Sequence, residues 1–169
     1  MMKMVKALLV GIVTILLISF YAYTNLKYHS VYYAQQMPHK EGTEPDLVML
    51  IENMWWVYTP EIEGIRYDDD GRNFIENSTN ITGKPTNFDE LVGGYGYSDQ
   101  NDVTYKFNRN FSLEWAIDKH YKKIDLATID EKKIKQDIRE TVQPILDVQS
   151  KPLINLQWLF NLLYQDRFN

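Results

Sequence analysis

The chain has no cysteine. That excludes disulfide bonds, thiolate nucleophiles, cysteine-ligated zinc and a lipid-modified N-terminal cysteine. Histidine is nearly as scarce. His29, His39 and His120 lie far apart, and no HExxH or similar metal spacing occurs, so no metal is expected. GxSxG and SxxK are also missing, which leaves a hydroxyl nucleophile without its usual activating partners. There is no basic stripe either. Residues 25–100 carry 5 basic and 13 acidic groups, a balance of −8 within a chain of net charge −5. Such a surface repels phosphate backbones, so nucleic acid is not an expected partner.

What the chain does have is an uncharged apolar run from Ala7 to Tyr23, preceded by Lys3 and Lys6. Ten of its residues are Leu, Ile, Val or Phe, and together they favour insertion by about 3 to 6 kcal/mol. Seventeen residues of helix extend about 25 Å, at the lower end of what crosses a bilayer. A cleaved signal peptide has the same charged start and apolar middle. Its cleavage site, however, needs small residues at −3 and −1, and Phe20, Tyr21, Tyr23, Tyr32 and Tyr33 interrupt every candidate pair. An uncleaved anchor is therefore expected, with membrane contact through Ala7–Tyr23. The lysines before the run place residues 1–6 in the cytoplasm and the rest outside. Phe20, Tyr21 and Tyr23 fit the aromatic belt at the outer interface.

The expected organisation is a cytoplasmic N-terminus at 1–6, a transmembrane signal anchor at 7–24, a juxtamembrane helix and linker at 25–45, and an extracytoplasmic domain at 46–169. Without Gly or Pro before Pro38, the anchor helix should continue into TNLKYHSVYYAQQM. The segment PHKEGTEPD then reads as a linker with few contacts, so residues 46–169 are expected to fold alone. LVMLIEN suits a short helix capped by Asp46, and MWWVY suits a strand. EGIRY and RNFIEN flank Asp68-Asp69-Asp70-Gly71 as a hairpin, and residues 77–85 have the composition of a loop.

A second hairpin has period-two alternation in both arms. Val103, Tyr105 and Phe107 would share a buried face with Phe111, Leu113, Trp115 and Ile117, across a turn at Asn108-Arg109-Asn110. The final third changes period. Thr128-Ile129-Asp130-Glu131 reads as a capping box, and Ile134, Ile138, Val142 and Ile145 recur at helical spacing until Pro144 kinks or ends the helix. A last helix runs through LINLQWLFNLLYQ, with Leu156, Leu159 and Leu163 directed at the sheet. The fold class is thus α+β: an N-terminal transmembrane helix, then a small domain with an antiparallel sheet and two C-terminal helices.

Candidate sites dissolve on inspection. Asp68, Asp69, Asp70, Asn73 and Glu76 resemble a calcium loop, but Arg66 and Asn77 stand where its first acid and its last glutamate belong. Gly93-Gly94-Tyr95-Gly96 lacks the lysine of a phosphate loop and precedes a strand, so no cofactor is expected. Glu114 beside Trp115 falls on the wet face of its strand. Asn77, Asn80 and Asn110 sit in glycosylation sequons, which matter only in a host that glycosylates secreted proteins. The missing cysteines and a composition rich in Lys, Ile, Asn and Tyr suit a bacterial cell envelope instead.

What remains is aromatic and apolar surface. Trp158, Leu162 and Tyr164 flank the expected core face of the last helix, and Trp55 and Trp56 are the other candidates for a partner surface. The expected role is non-enzymatic: a tethered protein-binding, regulatory or accessory subunit. The alternatives are a domain binding an envelope polymer or small ligand, and an enzyme with an unrecognised carboxylate site.

Overall fold

The computed structural model describes residues 2–60, 95–99 and 101–169, and the backbone alone of residue 2 and of three strands at 65–67, 73–75 and 79–82. The architecture is α+β. Helix α1 (Met2–Tyr28) leads into α2 (Ser30–Gln36) and α3 (Pro45–Glu52). Six strands follow: β1 (Ile65–Tyr67), β2 (Asn73–Ile75), β3 (Thr79–Thr82), β4 (Tyr95–Ser98), β5 (Thr104–Phe107) and β6 (Leu113–Ile117). A 3-10 turn at Leu126–Thr128, α4 (Glu131–Asp147) and α5 (Gln157–Phe168) complete the chain. The strands form one antiparallel meander in chain order.

Helix α1 is long and apolar enough to cross a membrane, and none of its most apolar window is buried against the rest of the protein. The expected continuation is present. Backbone bonds from His29 to Asn25 and from Tyr33 to His29 carry the helical ladder through the irregular residue His29, and α2 stops at Met37, before Pro38.

The core does not respect an expected boundary at residue 46. Val31, Tyr33, Ala34 and Met37 are fully buried and belong to one cluster that reaches from Leu26 to Phe168. The segment read as juxtamembrane helix and linker is therefore largely core. Only residues 38–44 behave as a connection, turning at Gly42 with φ +87°, a conformation that suits glycine. Helix α3 opens with Pro45 at its first turn, where a missing N–H costs nothing. It is buried from Pro45 to Leu50 and packs chiefly on α2.

In the sheet, Tyr95 and Tyr97 face Phe107 and Tyr105, and all four are buried. The β5–β6 pairing shifts register: Phe107 opposes Leu113, but Lys106 opposes Trp115, so Glu114 is the extra residue of a bulge. The bulge reverses the expected alternation. Ala116, opposite Tyr105, is the fully buried residue, while Trp115 and Ile117 turn to the other face. Phe111 is buried from the turn rather than from the strand, stacked 4.7 Å from Phe107.

Other expectations change as well. MWWVY forms turns instead of a strand, and Thr79–Thr82 is a strand inside the segment read as a loop. The turn at Asp68–Gly71, the first two glycines of the 93–96 run and the acids of the suspected calcium loop lie outside the described residues. The cap of α4 is Asp130, which accepts from the Lys133 N–H, while the Thr128 hydroxyl bonds back to Asp125. Glu131 accepts from the Leu113 N–H and pairs with Lys135 instead of closing a capping box. Pro144 sits inside α4 without ending it, because only the last turn lies beyond it. Ile134, Ile138, Val142 and Ile145 are buried as their spacing requires.

Candidate interaction surface beside the apolar helix

Tyr33 organises the end of the domain nearest α1. Its ring is fully buried and stacks 5.4 Å from Phe160 of α5. Its hydroxyl donates to Asn25 Oδ1 at 2.7 Å and accepts from the Leu156 N–H at 3.0 Å. Burial raises the phenol pKa, only partly opposed by the Leu156 N–H, so the hydroxyl stays protonated and can serve as both donor and acceptor. Asn25 in turn donates to the Ile154 carbonyl at 3.3 Å. Lys27 reaches Asn53 Oδ1 at 2.7 Å, and His29 Nδ1 lies 2.9 Å from the Ser150 carbonyl, where it must carry the proton. Gln149 then ties to the Tyr58 carbonyl at 2.8 Å. Two irregular segments, around 53–58 and 149–156, are thus fastened to the last turns of α1.

These attachments fix where the candidate aromatics stand. Trp56 packs edge-on against Tyr23 of α1, with centroids 5.8 Å apart, and Trp55 beside it is 72% exposed. Trp158 and Leu162, one turn apart on α5, are 67% and 72% exposed. No ring contact joins Trp55 or Trp56 to Trp158 among the described residues, so the candidates form two groups. Tyr164 belongs to neither. It is half-buried, 4.7 Å from Phe160, and burial followed by the nearby Glu52 charge raises its pKa. Leu163, expected to pack inward, takes the exposed position, and α5 buries Phe160 and Phe168 instead, chiefly against α2.

Leu153, wholly exposed, and Ile154 were not candidates on sequence grounds, because both sit within the apolar count of a presumed helix. The helix in fact starts only at Gln157. Asn155, whose Oδ1 accepts from the Gln157 N–H at 2.8 Å, marks that start, while Pro152 in the sequence suggests an earlier one. Leu153 and Trp56 close a cleft of about 350 Å³ with Tyr21, Thr24, Asn25, Tyr28 and His29.

Two ionic assemblies lie elsewhere. Arg167 grips Glu52 with both nitrogens at 2.9 Å and also bonds the Tyr95 hydroxyl and the Arg109 carbonyl, each at 2.7 Å. Burial raises the Glu52 pKa, but the hydrogen bonds from Arg167 and Tyr95 outweigh it and hold the carboxyl below its ordinary value. Burial and Glu52 together push the Tyr95 phenol up. A carboxylate kept ionised by an arginine fork is suited to clamping α3, α5 and β4 together, not to giving up a proton. A cleft of about 960 Å³ that Arg167 also lines contains Lys135 and Arg139. Both are engaged, Lys135 by Glu131 and the Gly42 carbonyl, Arg139 by Glu44 and Asp46.

No protein-family model matches this chain, and no curated protein or solved structure matches it either.

Proposed function

We propose that the protein is a single-pass membrane protein whose domain, on the outer side of the membrane, acts as a protein-binding, regulatory or accessory subunit of the cell envelope. The single observation that carries this reading is the outer face of α5. Trp158, Leu162 and Leu163 are exposed on a helix whose opposite side is locked into the core by Phe160 and Phe168. A well-packed domain gains nothing from presenting a tryptophan and two leucines on one helix, whereas a partner gains a rigid apolar anchor. The anchor reading has support of its own. Asn25 and Leu26 are buried in the domain, so a cut after Ala22 would fall in helix three residues before the core begins. Lys3 and Lys6 before the apolar run favour a cytoplasmic N-terminus.

A photoreactive residue in place of Leu162 in the full-length protein tests the reading. The expected result in native membranes is a discrete protein adduct that disappears with Trp158→Ala, while that variant keeps its melting temperature. Adducts to lipid alone, or adducts indifferent to Trp158→Ala, would rule the α5 surface out.

A further inference from the structure

Three segments meet at the outer end of α1: residues 21–30, which close α1 and open α2, 53–60 and 148–156. None contains an Asp or Glu, in a chain with 23 of them, and their charges are Lys27 and Lys151, with His29 between. They do contain Tyr21, Tyr23, Tyr28, Trp55, Trp56 and Tyr58. Glu52, next to Asn53 and close enough to Lys27 to feel its charge, is held by the Arg167 fork; the segments themselves, free of carboxylates and rich in Trp and Tyr, have the composition of a membrane interface, where amphipathic rings and cations meet anionic headgroups.

The geometry sets the depth. Trp56 packs on Tyr23, and Leu153 shares a cleft with Tyr21 and Thr24. Those α1 residues close the apolar run, so whatever stands beside them stands where the hydrocarbon gives way to headgroups. Helix α5 leaves this level. Its first turn is bonded past the end of α1, where Gln157 donates to the Tyr33 carbonyl, and its last carbonyls meet the connection after α2, where the Lys40 N–H donates to the Phe168 carbonyl. Outside α1, the exposed side chains that stand against the end of the run are Trp56 and Leu153, with Trp55 and Ile154 next to them in the chain. Their segments are held to the end of α1 and to His29 just beyond it, through the Asn53 side chain and the Ser150 and Ile154 carbonyls, so the domain has little freedom to lift them away.

We propose that this end of the domain is seated in the interfacial layer of the bilayer that α1 crosses, with Trp55, Trp56, Leu153 and Ile154 entering it; the proposal rests on reading α1 as a spanning helix. The occupant of the apolar collar is lipid because the collar is continuous with the lipid-facing surface of α1 and lies at its interfacial depth. A second protein would have to displace lipid from around the helix to reach it. The seat is a loop-built rim around the anchor and needs no in-plane amphipathic helix with a basic face. It holds the domain in one orientation on the membrane.

The absence of cysteine permits a direct measurement. Leu17→Cys, Trp55→Cys, Leu153→Cys and Lys132→Cys, each in the full chain, are nitroxide-labelled and placed in phosphatidylcholine bilayers containing a minority of phosphatidylglycerol. Collision with oxygen, which concentrates in lipid, is compared with collision with a water-soluble nickel chelate. The expected pattern is oxygen-dominated relaxation at 17, a shallower oxygen-favoured position at 55 and 153, and nickel-dominated relaxation at 132. If 17 reads as lipid while 55 and 153 match 132, the domain stands clear of the surface and the seat is wrong. If 55 and 153 are shielded from both reagents, protein covers the collar, which equally overturns it. A water-exposed 17 would refute the spanning helix, and the seat with it. Leu153 makes no packing contact that its loss would disturb, and circular dichroism confirms the fold of each variant.

Discussion

At the scale of single residues, three loops repeat one backbone solution. Asp99, Asn108 and Asp118 each accept two backbone N–H groups on Oδ1, from the residues two and four positions on. In each, the residue three positions on has positive φ: Asp102 at 58°, Phe111 at 63° and Tyr121 at 59°. The pattern is that of a short hairpin loop closed by a bulge, with the left-handed residue that glycine or asparagine would normally supply. Only the Asn108 loop is legible from strand alternation. The other two carry no glycine, so nothing flags them beyond the leading aspartate. An L-residue in this region costs about 1 to 2 kcal/mol. Phe111 offsets that cost by burial against Phe107 and Tyr95, whereas Tyr121 is 84% exposed and offsets nothing. The same replacement should therefore have opposite effects. Tyr121→Gly is expected to stabilise by about 1 kcal/mol, and Phe111→Gly to destabilise by about 3 to 5 kcal/mol. Urea melts of the two variants measure both signs.

At the scale of elements, apolar periodicity identifies what is regular and misses what is bent. The face of α4 is legible because Ile134, Ile138, Val142 and Ile145 hold their spacing for three turns. The β6 face is not, because the bulge at Glu114 changes phase in mid-strand and leaves no mark in the residue types. Nor could the sequence pair Glu52 with Arg167, 115 positions apart. Their clamp has a consequence in acid. The folded-state pKa of Glu52 is lowered, so its contribution is present above the ordinary carboxylate pKa and is lost as pH falls through the folded value. Between those limits the wild-type chain should lose stability faster than Glu52→Gln, which starts about 1 to 2 kcal/mol lower at neutral pH. Stability curves of the two that stay parallel below pH 5 would show that Glu52 is not protonated in this step.

At the scale of the whole molecule, the apolar run was legible as a helix long and apolar enough to cross a membrane and α2 as its helical continuation, yet the place of α2 in the fold was not. Tyr28, Val31 and Tyr32 stand at helical spacing, but spacing cannot say what such a face meets. Val31 is fully buried, but so are Tyr33 and Ala34 beside that face. The polar stretch PHKEGTEPD looked like a domain boundary and is only a turn within the domain, held by the Lys135 bond to Gly42 and the Lys40 bond to Phe168. The five suggested surface residues were legible as apolar excess, and four of them are exposed, but their separation into a rim beside α1 and a stripe on α5 depends on hydrogen bonds between distant segments. A truncation decides what the domain is. Removing residues 1–45 strips Val31, Tyr33 and Met37 from the core, three large side chains worth about 1.5 to 3 kcal/mol each. That sum approaches the whole stability of a small domain. Residues 46–169 should therefore show no cooperative melt, whereas residues 25–169, which keep Asn25, Leu26 and all of α2, should unfold in a single transition. A cooperative melt for 46–169 at a similar temperature would mean that α2 merely rests on the domain, and that the anchor joins it through a hinge instead of a shared core.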